Sequence, residues 1–520
     1  MIGHASDSES IVADPVIAFG PSNMVWSFLI GMFPAIHLDP SSDAPLYRQL
    51  FDAIRELIGV GRLETGERLP ATRELAGTLG LNRATVSAAY ALLESEGLVR
   101  GHVGRGSFVL GEARPPGSGL NWEQLLPAPG LALPAPASPD GISFSNSCPA
   151  EDLFPVEAFR RSCEEVLASP DASSVLQLGS PSGYAPLRHY LLDEARREGV
   201  VRPGDDLIVT NGCQQALDLI ARVVVRPSDA VIVEDPVYPG LKNVLLKAGA
   251  QLVGVPAGVD GFDIDALERA AIRSHPRLIV TTPDFQNPTG GTLPAEARRA
   301  VLRIARLAGA VLVENDIYGE LRYEGEAAPA IKQIDTVGDT VLLRSFSKLT
   351  FPGLRVGWTI APKLLVARMA EAKHMADLHS DQLSQAVLLR FAVSGRLKEH
   401  RARVLAAGAE RLQAVLEACQ RWLPAGTHFT RPQGGMNLWV RLPEPLDAGD
   451  LLARAQREGV SYMPGRYFEV SRREPGALRL SFAALPPEKI RAGLAILGKL
   501  FSSELARARL ERHEPAAAVV

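Results

Sequence analysis

The sequence predicts two folded units of different class. The first is a short helical unit closed by a β hairpin, over residues 41–110. The second is an α/β unit over residues 142–503, with a largely parallel sheet and a smaller α+β part at its C-terminal end. Three observations predict this division. At 520 residues the chain exceeds what one core usually covers. Between Gly111 and Gly141 proline dominates and no apolar period is visible, which marks a semi-extended linker. From Ile142 onward, short apolar runs alternate with helical patterns, the signature of parallel strands joined by helices.

Composition narrows the class. Hydrophobic residues make up 46% and charged residues 22%, ordinary values for a soluble globular protein. The net charge of −4 excludes a polybasic coat, so nucleic-acid binding must come from a local patch. Cys148, Cys163, Cys213 and Cys419 lie far apart, which argues against a metal site or a disulfide framework and suits a reducing cytoplasm. Residues 1–40 form an N-terminal extension. Its apolar run, Met24 to Leu38, is short for a membrane span of about 20 residues. No Lys or Arg precedes the run, so a secretory n-region is absent. It reads as a strand or short helix packed on a domain; Met24 is an alternative start of translation. Residues 504–520 read as a tail.

In the first unit, Pro45 opens a helix whose Leu46, Leu50, Ile54 and Leu57 form one stripe, ended by Gly59 and Gly61. A second helix follows, with Thr72 as its N-cap and Gly80 as its stop. Asn82 caps a third, R-A-T-V-S-A-A-Y-A-L-L-E-S-E-G. There Val86, Tyr90 and Leu93 face inward, and Arg83, Thr85 and Ser87 face outward. Two short helices across a glycine turn are a helix-turn-helix, whose second helix offers its first residues to base edges. L-V-R-G-H-V-G-R-G-S-F-V-L then alternates around Gly104-Arg105-Gly106 as a two-stranded wing with a basic tip. The stretches P-L-Y-R-Q-L, E-R-L-P-A-T-R-E-L-A, N-R-A-T-V-S-A-A-Y and G-R-G-S-F-V resemble the GntR-type winged helix-turn-helix domain. The resemblance implies that Arg73, Asn82, Arg83, Thr85 and Ser87 contact double-stranded DNA, with Gly104 and Arg105 in the adjacent minor groove.

In the second unit, chemistry gathers at strand ends. L-R-S-F-S-K-L-T-F-P-G-L-R-V-G-W places Ser345, Ser347, Lys348 and Arg355 after a buried strand. A lysine hemmed in by Phe346, Leu349 and Phe351 is partly desolvated, and a neutral amine is what a Schiff base requires. Ser345, Ser347 and Arg355 together suit a phosphate. Gly212, Cys213 and Gln214 open a helix whose backbone N–H groups favour an anion, or are an ordinary strand-to-helix turn. Tyr238 is placed to stack on a flat ring, or is a packed rim residue. Asn287-Pro288-Thr289-Gly290 is a sharp turn that aims the Asn287 amide inward. Asp316 and Tyr318 follow an apolar strand, where ligands of open α/β sheets bind; Asp316 reads equally as a helix cap.

One cofactor accounts for all of these pieces. In the order T-x-G-x-x-x-A-L, N-P-T-G, D-x-Y, S-x-S-K and Arg, they resemble fold-type I pyridoxal 5'-phosphate enzymes of the class I/II aminotransferase family. The resemblance implies that Lys348 forms the imine and Asp316 holds the ring nitrogen. Asn287 and Tyr318 would bond the ring oxygen, and Tyr238 would stack. Gly212, Cys213, Gln214, Ser345, Ser347 and Arg355 would bind the phosphate. Arg479, in A-L-R-L-S-F-A, would grip an acid group. Leu178 stands where the family often has a tyrosine that reaches the neighbouring subunit. A GntR-type reader, a linker and an aminotransferase-like domain in this order resemble the MocR/PdxR/GabR group of bacterial regulators. That group implies a cytoplasmic, domain-swapped homodimer that senses an amino compound, or the cofactor itself, by aldimine exchange at Lys348. The competing expectation is a working aminotransferase with an accessory DNA-binding domain.

Overall fold

The computed structural model describes residues 36, 38–40, 42, 44–102, 106–110, 126 and 141–513. The chain divides into two compact units, Met1–Gly130 and Leu131–Val520. Most of the linker, the apolar run up to Ala35, and the wing-tip residues Gly104 and Arg105 lie outside the described residues.

The first unit is built on one small core. Helix α1, Leu46–Gly59, buries Leu50, Phe51 and Ile54, while Leu46 and Leu57 at the ends of the stripe are half-buried. Helix α2, Thr72–Leu79, has Ala71 rather than Thr72 at its N-cap. Thr72 is therefore the first helical residue. The Ala71 N–H finds its partner in the Glu74 carboxylate at 3.4 Å, so no threonine hydroxyl is needed. Gly80 ends the helix in the left-handed conformation, at φ 67°. Helix α3, Arg83–Ser95, starts from Asn82, whose side chain accepts the Ala84 N–H at 3.0 Å. Val86, Ala89, Tyr90 and Leu93 face the core, and the Tyr90 hydroxyl donates to the Pro70 carbonyl at 2.9 Å. Strands β1, Val99–His102, and β2, Gly106–Val109, pair antiparallel as the wing. Ile36 and Leu38, the two described residues of the apolar run, pack against this core.

The second unit opens with β3, Ile142–Ser143. Its main sheet contains β4, Asp205–Asn211; β5, Ala230–Asp235; β6, Gln251–Gly258; and β7, Gly261–Phe262. It continues with β8, Leu278–Thr281; β9, Val311–Asn315; β10, Val341–Ser345; and β11, Val356–Pro362. The strand order is β4-β11-β10-β9-β8-β5-β6-β7. The pairs β10–β9, β9–β8, β8–β5 and β5–β6 are parallel, and β11 runs antiparallel to both its neighbours. Helix α4, Gly212–Val224, covers one face, burying Leu217, Leu219 and Ile220 against Val313 and Leu343. The opposite face buries Leu312 and Ile279 under Val301 and Ile304.

The smaller part is a four-stranded sheet. It comprises β12, His428–Phe429; β13, Asn437–Arg441; β15, Met463–Pro464; and β16, Ala477–Ser481, in the order β12-β13-β16-β15. Two long helices, α5, Arg396–Trp422, and α6, Pro487–His513, supply Leu412, Val415, Leu494 and Leu497 to its core. Strand β14, Val460–Ser461, pairs parallel with β3, so the segment that enters the second unit is fastened to its C-terminal part. Among the described residues, no helix is long and apolar enough to cross a membrane.

Candidate functional site

The parallel strands β4, β5, β8, β9 and β10 end on one edge, where an open α/β sheet binds ligands. Because β11 runs the other way, its start returns to that edge. This carries Arg355, the residue before β11, to the start of α4. A cavity of about 510 Å³ opens there. Cys213, Gln214, Tyr238, Asn287, Tyr318, Ser345, Ser347, Lys348, Arg355 and Arg479 all line it.

At one end lies a cradle for an anion. Gly212 heads α4 at φ 75°, and a Cβ added there would lie 2.6 Å from the Arg355 guanidinium. A Cβ at Gly357 would lie 3.0 Å from the Cys213 backbone nitrogen. Two glycines thus keep open the space between the helix start and the arginine. Arg355 itself is left-handed, at φ 55°, a conformation that costs a non-glycine residue about 1–2 kcal/mol. Its guanidinium donates to the Pro352 carbonyl at 3.2 Å and the Asn211 carbonyl at 3.4 Å, which fixes it over the helix start. The Ser345 and Ser347 hydroxyls stand 2.9 Å apart, and the Ser347 N–H donates to Ser345 at 3.0 Å. Burial pushes the Cys213 thiol up to about 12. It remains a thiol, bonded to the Arg344 carbonyl at 3.3 Å, and offers the cavity its backbone.

The other end holds the amine and the acid-binding group. Lys348 Nζ donates to the Ser147 carbonyl at 2.6 Å and lies 5.6 Å from the Tyr318 ring centroid. The Tyr318 and Ser147 hydroxyls are 3.4 Å apart. Arg479 comes from β16, whose Leu478 and Leu480 face the small core and leave Arg479 on the opposite face. It is 4% exposed, donates to Asn287 Oδ1 at 2.9 Å and to the Ser145 carbonyl, and lies over the Phe468 ring. Burial pulls its pKa down to about 10, so it is still a cation at neutral pH. Tyr238 heads the helix Pro239–Lys247 and remains 38% exposed at the rim.

Asp316 is placed differently from the rest. Its carboxylate pairs with Arg344 Nε at 2.9 Å and accepts the Gly319 N–H at 3.2 Å; it lines an outer groove and a small one that shares Ser345 and Lys348 with the cavity, but not the cavity itself. The cavity is instead lined by Asn315, the last residue of β9.

Sequence reasoning also passed over Ser147, Glu234 and Gln286. Glu234 accepts from the Thr281 hydroxyl and the Thr282 N–H, both at 2.8 Å, and holds Gln286 at 3.2 Å. Gln286 in turn accepts from the Thr289 N–H at 2.9 Å, bracing the turn that carries Asn287. Burial pushes the Glu234 carboxyl up to about 7. A buried Glu just before a strand end was the available signal. Leu178 is 72% exposed, and Tyr184, half-buried, is tied through its backbone to Gln385 at 2.8 Å.

On the first unit, Arg83 and Ser87 are exposed and Thr85 half-buried near the start of α3; Arg73 and Asn82 are exposed nearby.

The donor set fits pyridoxal phosphate: an amine, an anion cradle, polar groups for a ring oxygen and a cation for an acid group. Three buried polar atoms of residues lining the cavity, Gln214 Oε1, Asn315 Oδ1 and Arg479 Nε, have no partner among the described residues. Fold and cavity together define a fold-type I pyridoxal-phosphate protein joined to a DNA-reading domain. The aminotransferase class I and II family matches residues 145–497, and the bacterial regulatory gntR family matches residues 46–109. The chain is 31% identical to the probable rhizopine catabolism regulatory protein MocR of Rhizobium meliloti, over 89% of this chain and 95% of that one. It is similar to the multiple substrate aminotransferase of Thermococcus profundus, with a TM-score of 0.69 and 34% identity, covering 71% of this chain and 93% of the other. It also resembles the α-aminoadipate aminotransferase LysN of Thermus thermophilus, complexed with N-(5'-phosphopyridoxyl)-L-leucine. There the TM-score is 0.67 and the identity 35%, over 71% of this chain and 94% of that one. The chain belongs to the aminotransferase class I and II family and, with its GntR domain, to the MocR-type regulators. Its cofactor is pyridoxal phosphate.

Proposed function

We propose that the protein is a cytoplasmic, DNA-binding transcriptional regulator that senses an amino compound, or pyridoxal phosphate itself, at Lys348. The observation that carries the reading is the convergence of Lys348, the anion cradle and Arg479 on one cavity in a chain that also bears a helix-turn-helix. Pyridoxal phosphate supplies an aldehyde with which amines condense and a ring that absorbs visible light. The cradle of Gly212, Cys213, Ser345, Ser347 and Arg355 fixes the phosphate. Asn287 and Tyr318 orient the ring, and Tyr238 covers it from the rim. Lys348 would supply the amine that holds the aldehyde, in competition with incoming amines, and the Ser147 carbonyl would remain a partner for its Nζ. Arg479 receives the acid group of that compound, exchanging the Asn287 and Ser145 oxygens for a two-pronged contact.

The family architecture supports a domain-swapped homodimer, in which exchange at one protomer's Lys348 changes the spacing of the two DNA readers. The shift cannot exceed the ligand's differential affinity for the two arrangements. Titrating the loaded protein with a panel of amino compounds tests this, with absorbance and operator binding read on the same sample. A compound that changes the spectrum should change operator affinity. A panel that moves the spectrum and is turned over, with operator binding constant, supports the aminotransferase reading instead.

A further inference from the structure

We propose that Asn315, not a carboxylate, meets the ring nitrogen of the bound cofactor. The site therefore exchanges amines well and removes their α-proton poorly. This deepens the proposed function and rests on it.

The parity of β9 carries the assignment. Side chains of a strand alternate between faces. Val313 packs on the α4 face with Leu217 and Ile220, whereas Leu312 packs on the other. Glu314 also turns to that other face, where its carboxylate accepts the Ile331 and Lys332 N–H groups, each at 2.7 Å. Asn315 falls with Val313, on the face where α4 starts the anion cradle, and it lines the cavity. Asp316 falls with Glu314. Its pairing with Arg344, which also reaches Glu198, holds it there. Asn315 Nδ2 donates to Thr282 Oγ1 at 3.3 Å, while its Oδ1 is buried without a partner. A buried amide oxygen with no partner beside a cofactor cavity is free to accept from a ligand N–H, and a half-turn of the amide presents its N–H groups to an unprotonated ring nitrogen instead.

The chemistry follows from charge. A carboxylate at the ring nitrogen keeps it protonated and makes the ring an electron sink. Breaking a substrate's α C–H bond would need a base, which a freed Lys348 amine would supply, and a sink for the electron pair, which a protonated ring would supply. A neutral amide donates an N–H to an unprotonated ring nitrogen or accepts from a protonated one, and it carries no charge that favours the pyridinium, so the sink is weak. Exchange of one amine for another breaks one C–N linkage and forms another, and does not draw on the sink. Recognition is thereby separated from turnover.

The test loads the full-length protein with pyridoxal phosphate carrying nitrogen-15 in the ring and records its NMR shift. Wild type should show the neutral-pyridine shift. Asn315→Asp should move it to the pyridinium side and raise keto-acid formation from a reactive amino donor by on the order of 10²-fold. Asp316→Asn should leave the ring signal in place. A pyridinium signal in wild type, or one that responds to Asp316→Asn and not to Asn315→Asp, overturns the inference alone. Failure of the protein to take up the labelled cofactor overturns the proposed function as well. Wild type alone decides the first point, so an ill-folded variant does not protect the idea.

Discussion

The two units place their functional side chains in opposite ways. On the DNA-reading unit, Arg73, Asn82, Arg83 and Ser87 are exposed, and the small core beneath joins α1, α3 and the wing strands. In the cofactor cavity, Asn287, Ser347 and Arg479 are each less than a tenth exposed; Arg479 bonds Asn287, and Ser347 bonds the Ser345 hydroxyl. An exposed reader is specified by local signals: a cap, a helical stripe and a turn. A buried site is specified by which face of a strand each residue takes, and by what competes for it.

This contrast can be broken in four ways. The largest effect is expected in the cavity. Lys348→Ala should abolish borohydride trapping of the cofactor while operator binding by the ligand-free protein persists. A full ligand response in that variant would end the exchange model. Arg479→Ala should weaken binding of an acid-bearing effector by about 2–5 kcal/mol, because it empties a buried charge site. Spectral titration reads this, and an unaltered midpoint removes Arg479 from the effector contact. Arg83→Ala should weaken operator binding by about 1–3 kcal/mol with the cofactor spectrum unchanged. A gel-shift titration that overlays wild type takes Arg83 off the DNA. The smallest effect belongs to the cap: Asn82→Gly should cost only a few tenths of a kcal/mol, since glycine is tolerated there. Hydrogen exchange along α3 measures it, and protection lost throughout the helix would show a larger role for the Asn82 side chain.

Much of this was legible beforehand. The stripe Leu50–Ile54, the Asn82 cap, the Gly80 stop and the wing all follow from local chemistry. So do the strand ends that carry Gly212, Asn287, Ser345 and Lys348. The cap of α2 falls at Ala71 rather than Thr72, because the Ala71 N–H is satisfied by the Glu74 carboxylate. Asp316 shows a different limit. In E-N-D-I-Y the only acid past the strand end draws the eye, yet counting faces from Val313 selects Asn315. That parity was available in the sequence; the Arg344 partner that secures Asp316 elsewhere was not.

The sequence by itself determined the order of the units, their classes and the kinds of residue available for chemistry, because caps, turns and apolar periods act over a few neighbours. Tertiary structure decided which of those residues share a cavity. Arg355 meets Gly212 only because β11 reverses direction, and Arg479 meets Asn287 only because a second sheet lays one face of β16 against the first. Such meetings depend on packing across long separations, which no local pattern encodes.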